Sequence, residues 1–457
     1  MSIRKLTLGA TLTLLLGGCA LYNDVTISNL TVLPTQIDRG SDLQSMLRKA
    51  DYLRAVEMMP VIDARQSKNA SDLALLGEAE LAAGRYDAAR RHLRAALDLD
   101  PFRTTYANIA WDLAQVEYMS NNFASSLDWA QLAVSRGLNV KQWHLDYLAA
   151  LSDIEVYRAT GLPSDTLPMR ASRPDVPRID VKIGKTHTVN AVIDSGAVLS
   201  IVSQRLATQM NVKKVNRYPG IFYGLLGEPI DVDFGILDSL ELGDIALENV
   251  PVAIMPDDKM RFLVNDKREF RMDFLLGANL LKEFRTELDF ARGSVTFTRL
   301  TSADRHPDAN QNLFIEGFRP MVRGTVNRRG WYMFVLDTGS EVTFLNESEL
   351  PNLPINQVTP HMHAATLQGL GGAKKHGAKL EDIELGLDKY AGLFKTVPMY
   401  ASGEGEHSAG IIGENFLKNF KVVIDYGRMR VDLIRGGSAN VTPASSTLRA
   451  AGSPSRE

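Results

Sequence analysis

Two aspartates stand in matching surroundings 143 residues apart. Ala191-Val192-Ile193-Asp194-Ser195-Gly196-Ala197 is an apolar run that ends in Asp-Ser-Gly-Ala. Met333-Phe334-Val335-Leu336-Asp337-Thr338-Gly339-Ser340 is an apolar run that ends in Asp-Thr-Gly-Ser. One carboxylate at the end of a buried-looking strand is an oddity, whereas two in equivalent settings suggest a pair. Two carboxylates that face each other across an axis can share one proton and activate a water molecule.

The elements that must position them repeat as well. After Asp194 come Asp273-Phe274-Leu275-Leu276-Gly277-Ala278-Asn279-Leu280-Leu281 and Leu288-Asp289-Phe290. After Asp337 come Gly410-Ile411-Ile412-Gly413-Glu414-Asn415-Phe416-Leu417 and Ile424-Asp425-Tyr426. Gly277 follows its aspartate by 83 residues and Gly413 by 76. Between them lie the matched segments Leu240-Glu241-Leu242-Gly243 and Ile383-Glu384-Leu385-Gly386, then Val250-Pro251-Val252 and Thr396-Val397-Pro398. Each unit reads as an apolar strand, Asp-Ser/Thr-Gly, a long β-rich stretch, two aliphatics and Gly, a short helix and a final strand. A repeat of this size predicts two like-folded lobes.

These motifs resemble the aspartic proteases, in their retropepsin-like bacterial branch, over about residues 172–435. The resemblance implies an all-β bilobal protease fold, with lobe 1 over 173–300 and lobe 2 over 301–435. It implies Asp194 and Asp337 as the catalytic dyad, supported by Ser195, Gly196, Thr338, Gly339 and Ser340. Flap hairpins are expected over Tyr218–Ile230, with Tyr223, Gly224 and Gly227, and over Thr366–Gly372, with Gly369, Gly371 and Gly372. Retropepsin-like lobes usually pair as a homodimer. This chain carries both halves, so a monomer is expected to be catalytically complete. Substrate is expected to bind as an extended strand with side chains in alternating pockets. The resemblance implies no metal or organic cofactor.

A small residue and then Gly after each aspartate permit a tight turn and close approach between lobes. Ser195 and Thr338 can donate into the facing loop. The apolar runs desolvate the pair, so the first proton leaves easily and the second reluctantly. One asymmetry stands out: Ser340 follows the second glycine where Ala197 follows the first. A hydroxyl there could donate to Asp337 and favour its ionised form, leaving Asp194 with more of the shared proton. Two other readings stay open: a catalytically inactive adaptor that binds peptides or proteins through its cleft and helices, and an enzyme of cell-wall peptides.

The N-terminus carries Arg4 and Lys5, an apolar stretch over Leu6–Leu16, then Gly17-Gly18-Cys19-Ala20. This reads as a secretory signal over 1–19, too short to span a bilayer as a stable anchor. Leu16-Gly17-Gly18-Cys19 resembles the bacterial lipoprotein processing site. Cys19 would then become the lipid-bearing first residue of the mature chain, attached firmly through several acyl chains. By resemblance to Gram-negative lipoproteins, Ala20, in place of an aspartate, favours the outer membrane with the body in the periplasm. Cys19 is the only cysteine, which excludes internal disulfides and makes a thiol site untenable.

Residues 20–40 read as a linker, and 41–160 as a helical domain rich in Ala, Leu and Arg. Leu73, Leu76, Gly77, Gly84, Tyr86, Ala89, Leu93, Ala96 and Pro101 follow tetratricopeptide spacing, with Leu73 and Glu80 in place of the usual aromatics. The domain is either a docking surface for a protein partner or a spacer that lifts the protease from the membrane. Trp111, Trp129, Trp143 and Tyr147 read as core. Residues 161–172 read as a second linker, and 436–457, rich in Ser, Ala, Gly and Pro, as a disordered tail. His361, His363, His376 and His407 lack the carboxylate or cysteine spacing of a metal site. A net charge of −3 without a basic stripe gives no support for nucleic-acid binding.

Overall fold

The computed structural model describes residues 11–12, 25–33, 42–48, 51–64, 69–99, 105–170, 176–184, 186–224, 228–264, 268–355, 365–368, 374–400 and 408–435. After two short strands, seven helices follow among the described residues: α1 Leu43–Arg48, α2 Tyr52–Ala64, α3 Ala70–Ala82, α4 Tyr86–Leu99, α5 Tyr106–Met119, α6 Phe123–Ser135 and α7 Gln142–Ser152. Their starts and spacings follow local chemistry. Asn69 caps α3 by accepting the Ser71 N–H at 2.9 Å. In α4 the buried Ala89, Leu93, Ala96 and Leu97 recur at helical spacing and form one inner face. Short turns join α3 to α4 and α5 to α6, which makes each pair a helical hairpin. The Arg90 guanidinium ties α4 to α5 with two bonds to the buried Glu117, at 2.8 and 3.0 Å. The helical prediction thus holds, and likeness to tetratricopeptide repeats stays a resemblance.

Three large sheets and two two-stranded ones make up most of the rest of the described residues. In lobe 1 the strand His187–Ile193 runs parallel to Phe274–Leu276, which is antiparallel to Ile201–Ser203. In lobe 2 Arg329–Leu336 runs parallel to Gly410–Ile412, which is antiparallel to Phe344–Asn346. The two lobes therefore repeat one topology around their aspartates. The third sheet joins them: Phe284–Asp289 of lobe 1 pairs antiparallel with Lys421–Asp425 of lobe 2. Alternating apolar residues explain the sheet cores. Phe284, Thr286 and Leu288 point inward on one strand while Glu287 pairs with both Arg285 and Lys421 nearer the surface.

Parts of both predicted linkers are strands. Val25–Asn29, inside the segment expected as linker, is an edge strand of the lobe 2 sheet, antiparallel to Tyr390–Phe394. Arg158–Gly161 pairs with Ile245–Glu248 of lobe 1, and Ser164–Pro168 with Ser294–Thr298 of the joining sheet. Their alternation is too short to read as strand, and the backbone hydrogen bonds they complete belong to distant partners. Among the described residues, the chain also enters lobe 2 before its first helix, α1. The helices are accordingly no spacer between an N-terminal anchor and the protease lobes. Residues of α1–α3, among them Leu43, Met46, Tyr52, Ala55, Leu76 and Ala79, share a core with Phe314, Met321, Met333, Val335 and Phe344 of lobe 2. Residues of α5–α7, among them Trp111, Tyr118 and Trp143, belong to the large core that runs through both lobes. Trp111, Trp143 and Tyr147 are buried as expected, with Trp129 partly so. A charged cluster reinforces that seam: Asn121, after α5, and Arg305 both bond Glu283, and Lys282 reaches Asn121 and Glu283. The tail 436–457 lies outside the described residues.

Candidate active site

Each aspartate sits one residue beyond a strand whose last three residues are buried. The Asp194 N–H donates to the Leu276 carbonyl at 3.0 Å, and the Asp337 N–H donates to the Ile412 carbonyl at 3.1 Å. The two aliphatic-aliphatic-Gly strands thus fix where the aspartates emerge. Both carboxyls are 0% exposed.

Ser195 and Thr338 clasp the two loops reciprocally. The Ser195 hydroxyl donates to the Leu336 carbonyl at 2.7 Å and accepts the Thr338 N–H at 3.1 Å. The Thr338 hydroxyl donates to the Ile193 carbonyl at 2.8 Å and accepts the Ser195 N–H at 3.1 Å. Four bonds in a dry interior hold the turns in one relative position. Gly196 and Gly339 allow the approach. A Cβ on Gly196 would lie 2.5 Å from the Asp337 Cγ, and one on Gly339 would lie 2.4 Å from the Asp194 Cγ. Each carboxyl therefore rests against the other loop's glycine, and no other residue type fits there.

Within its own loop each carboxyl uses one oxygen. Asp194 Oδ1 accepts the Ala197 N–H at 3.0 Å, and Asp337 Oδ1 accepts the Gly339 N–H at 2.9 Å. Each Oδ2 is left without a donor from the rest of the protein. A proton held between the carboxyls satisfies both at once. Burial pushes Asp194 up to about 7. Burial, and then the charge of Asp194, raise Asp337 well above the ordinary carboxylate range. The two titrations belong to the pair, and the pair keeps a proton where isolated aspartates would have lost theirs.

The expected role of Ser340 is corrected. Its hydroxyl donates to the Val342 carbonyl at 2.8 Å and braces the turn instead of reaching Asp337. The Asp337 loop is supported through backbone amides, as the Asp194 loop is, so the hydroxyl does not bias the shared proton.

The structure adds four residues that sequence reasoning passed over. In lobe 1 the Ser200 N–H and hydroxyl both donate to Asn279 Oδ1, and the Gly277 N–H donates to Ser200 Oγ at 3.0 Å. In lobe 2 Thr343 and Asn415 make the same bonds, and the Gly413 N–H donates to Thr343 Oγ1 at 3.1 Å. These pairs lock the strand after each aspartate to the short helix behind it. Their signal was present: Ser200 and Thr343 each follow an aspartate by six residues, and Asn279 and Asn415 each follow a glycine by two.

Of the flap candidates, Tyr223 and Gly224 lie on the strand Gly220–Gly224, which forms a hairpin with Pro229–Leu242. Its outer edge pairs in parallel with Thr11–Leu12. Gly227, Gly369, Gly371 and Gly372 lie outside the described residues, as do Cys19, His361, His363 and His407. Ala365–Gln368 and Lys374–Gly377 pair antiparallel on either side of the second expected tip.

Residues 179–280 match the family model for aspartyl proteases, and residues 317–425 match that for retroviral aspartyl proteases. The bilobal unit is an aspartic protease. Each match contains one aspartate and the aliphatic-aliphatic-Gly strand behind it, so this protease carries two equivalent half-sites in one chain. Among solved structures, the chain is similar to an aspartic proteinase from Irpex lacteus at 12% identity and a TM-score of 0.34, covering 61% of this chain and 99% of that one. It is also similar to a retropepsin-like aspartic protease from Rickettsia conorii at 14% identity and a TM-score of 0.22, covering 32% and 97%. Neither likeness adds to the assignment at those scores. No curated protein matches the chain.

Proposed function

We propose that this chain is a membrane-anchored periplasmic endopeptidase, an aspartic protease whose single-chain dyad of Asp194 and Asp337 hydrolyses peptide bonds in extended substrates. The observation that carries the reading is the pair itself: two fully buried carboxyls, clasped by Ser195 and Thr338, whose free oxygens can be satisfied by one shared proton. With one aspartate ionised and one protonated, the ionised carboxylate takes a proton from a bound water. The water oxygen attacks the peptide carbonyl carbon, while the protonated carboxyl hydrogen-bonds the carbonyl oxygen. As the C–N bond breaks the leaving nitrogen takes up a proton, and the dyad returns to its singly protonated state. Burial keeps that state populated at pH values where free aspartates are ionised.

The hairpin Gly220–Gly224/Pro229–Leu242 is read as the flap of lobe 1, which closes over substrate and excludes water. The signal-like segment ending at Cys19 supports attachment to the bacterial envelope, with the outer membrane favoured by Ala20.

The test uses the protein expressed from residue 20 onward, a diverse peptide mixture across mildly acidic to mildly alkaline pH, and product identification by mass spectrometry. Cleavage should vanish in both Asp194→Asn and Asp337→Asn. Persistence of the same products in either variant, or no cleavage by a folded wild-type protein, overturns the dyad. Labelling cells with a fatty-acid analogue tests the anchor: incorporation should be lost in Cys19→Ala, and a wild-type chain that takes up no label refutes it.

A further inference from the structure

The helical unit reaches the flap hairpin of lobe 1 through one helix. Trp143 and Tyr147 lie one turn apart on α7 and point the same way. Trp143 stacks on Phe234 with centroids 4.8 Å apart and ring planes 11° from parallel. It also meets the Phe222 ring at 6.5 Å and 65°, and Tyr147 packs on Phe234 at 5.3 Å. Phe222 is in the middle of the strand Gly220–Gly224, and Phe234 lies where the returning strand leaves the hairpin for the lobe 1 sheet. Gly220 brings the strand's first residue onto the same rings. A Cβ there would lie 2.8 Å from Phe234 and 3.2 Å from Trp143 Cδ2.

Polar contacts pin the base of the hairpin to the same helix. Asp146 Oδ2 accepts the Arg217 N–H at 2.9 Å, just before the hairpin. The Phe234 N–H donates to Asn216 Oδ1 at 2.7 Å, and the Val215 N–H donates to the Phe234 carbonyl at 2.9 Å. The hairpin's other face carries Ile221 and Tyr223, which are 45% and 40% exposed. One face of the strand is therefore held by α7 while the opposite one is open.

We propose that Trp143 and Tyr147, with Asp146, are positioning residues that set the resting position of the lobe 1 flap, so that the helical unit tunes substrate capture by the dyad. A hairpin with one face open gains its preferred position from whatever holds its base. Here that support comes from another domain, through a stacked aromatic pair whose geometry is specific. A change in α7 is transmitted to the flap without passing through the aspartates. The inference rests on the reading of this hairpin as a flap.

The test compares the full chain with Trp143→Ala, Trp143→Phe and Asp146→Ala, using two readouts. Hydrogen exchange of the amides in 220–224 and 229–232 should quicken about tenfold or more in Trp143→Ala, with the dyad strands 191–193 and 274–276 unchanged. Trp143→Phe, which keeps a ring to stack, should restore slow exchange. On a cleavable peptide, Trp143→Ala should lower kcat/KM about tenfold, mainly through KM, with both limbs of the pH profile in place. Exchange that is unchanged in the hairpin, or that rises equally in the dyad strands, overturns the proposal. If Trp143→Ala does not fold, Asp146→Ala decides: faster exchange confined to the hairpin supports positioning, and no change refutes it. The exchange readout does not depend on catalysis. An inactive wild-type protein would refute the protease reading while the exchange result still judged the role of α7.

Discussion

Replacing Asp194 with asparagine should stabilise the protein, and only above the pH range of an ordinary aspartate. Burial moves the Asp194 carboxyl from 3.8 to about 7, so folding binds a proton across that interval. The folded state holds the proton that the unfolded chain releases. The group's contribution is therefore fully present below pH ~4, falls as pH rises towards 7, and levels off above it. A shift of about three units at about 1.4 kcal/mol per unit gives a penalty of about 4 kcal/mol at pH 8. Water entering the cleft softens the desolvation and lowers that figure, while Asp337, which the charge of Asp194 raises, is relieved in the variant and adds to it. The asparagine side chain would not titrate, while its carbonyl oxygen could still accept the Ala197 N–H that Asp194 Oδ1 accepts at 3.0 Å. Urea unfolding of both proteins at pH 4, 5, 6, 7 and 8, followed by tryptophan fluorescence, measures the gap directly. It should be near zero at pH 4 and grow to between about 2 and 4 kcal/mol in favour of the variant at pH 8. A gap independent of pH, or a wild-type protein more stable at pH 8, would refute the claim that burial holds a proton on the pair.

Other perturbations have equally specific outcomes. Thr338→Val keeps the shape but removes the donor to the Ile193 carbonyl and the acceptor for the Ser195 N–H. It should cost about 2–4 kcal/mol in denaturant midpoint analysis and lower kcat, because two buried groups lose their partners. Ser340→Ala should leave both limbs of the pH–rate profile unmoved and cost about 1 kcal/mol, since the hydroxyl bonds Val342 and not the dyad; a shifted acid limb would refute that assignment. Gly339→Ala should abolish cleavage in a peptide assay, as its methyl group would lie 2.4 Å from the Asp194 Cγ. Lys282→Ala should cost about 2 kcal/mol by removing one of the two cations that bond Glu283, which keeps Arg305 and Asn121, and limited proteolysis should then cut the seam near α5 first.

The sequence made the dyad and its clasp legible because the chemistry is local. Asp-Ser-Gly and Asp-Thr-Gly name the turn, the donor and the close approach within three residues. Ser200, Thr343, Asn279 and Asn415 were recoverable from the same repeat, since each pair holds an equal offset in both halves. Ser340 was misread because nearness in sequence pointed to Asp337, while the turn aims the hydroxyl at Val342. The joining strands were hidden for a different reason. Val25–Asn29 and Ser164–Pro168 are five residues each, and their partners start at Tyr390 and Ser294, far along the chain. The helical pattern likewise showed that Trp143 and Tyr147 are buried, but periodicity carries no record of what buries them.

The edge strand Val25–Asn29 also sets a leash. Six positions separate Cys19 from Val25, a contour of about 20 Å even when fully drawn out. A lipid on Cys19 would hold lobe 2 within that height of the bilayer, with no stalk to lengthen its radius of action. Tension on such a tether would run along the strand's own axis and load its ladder to Tyr390–Phe394 in shear, so that its bonds resist together instead of opening one by one. The working space of the cleft would then be a thin layer at the membrane surface, and a substrate would have to enter that layer to be cut.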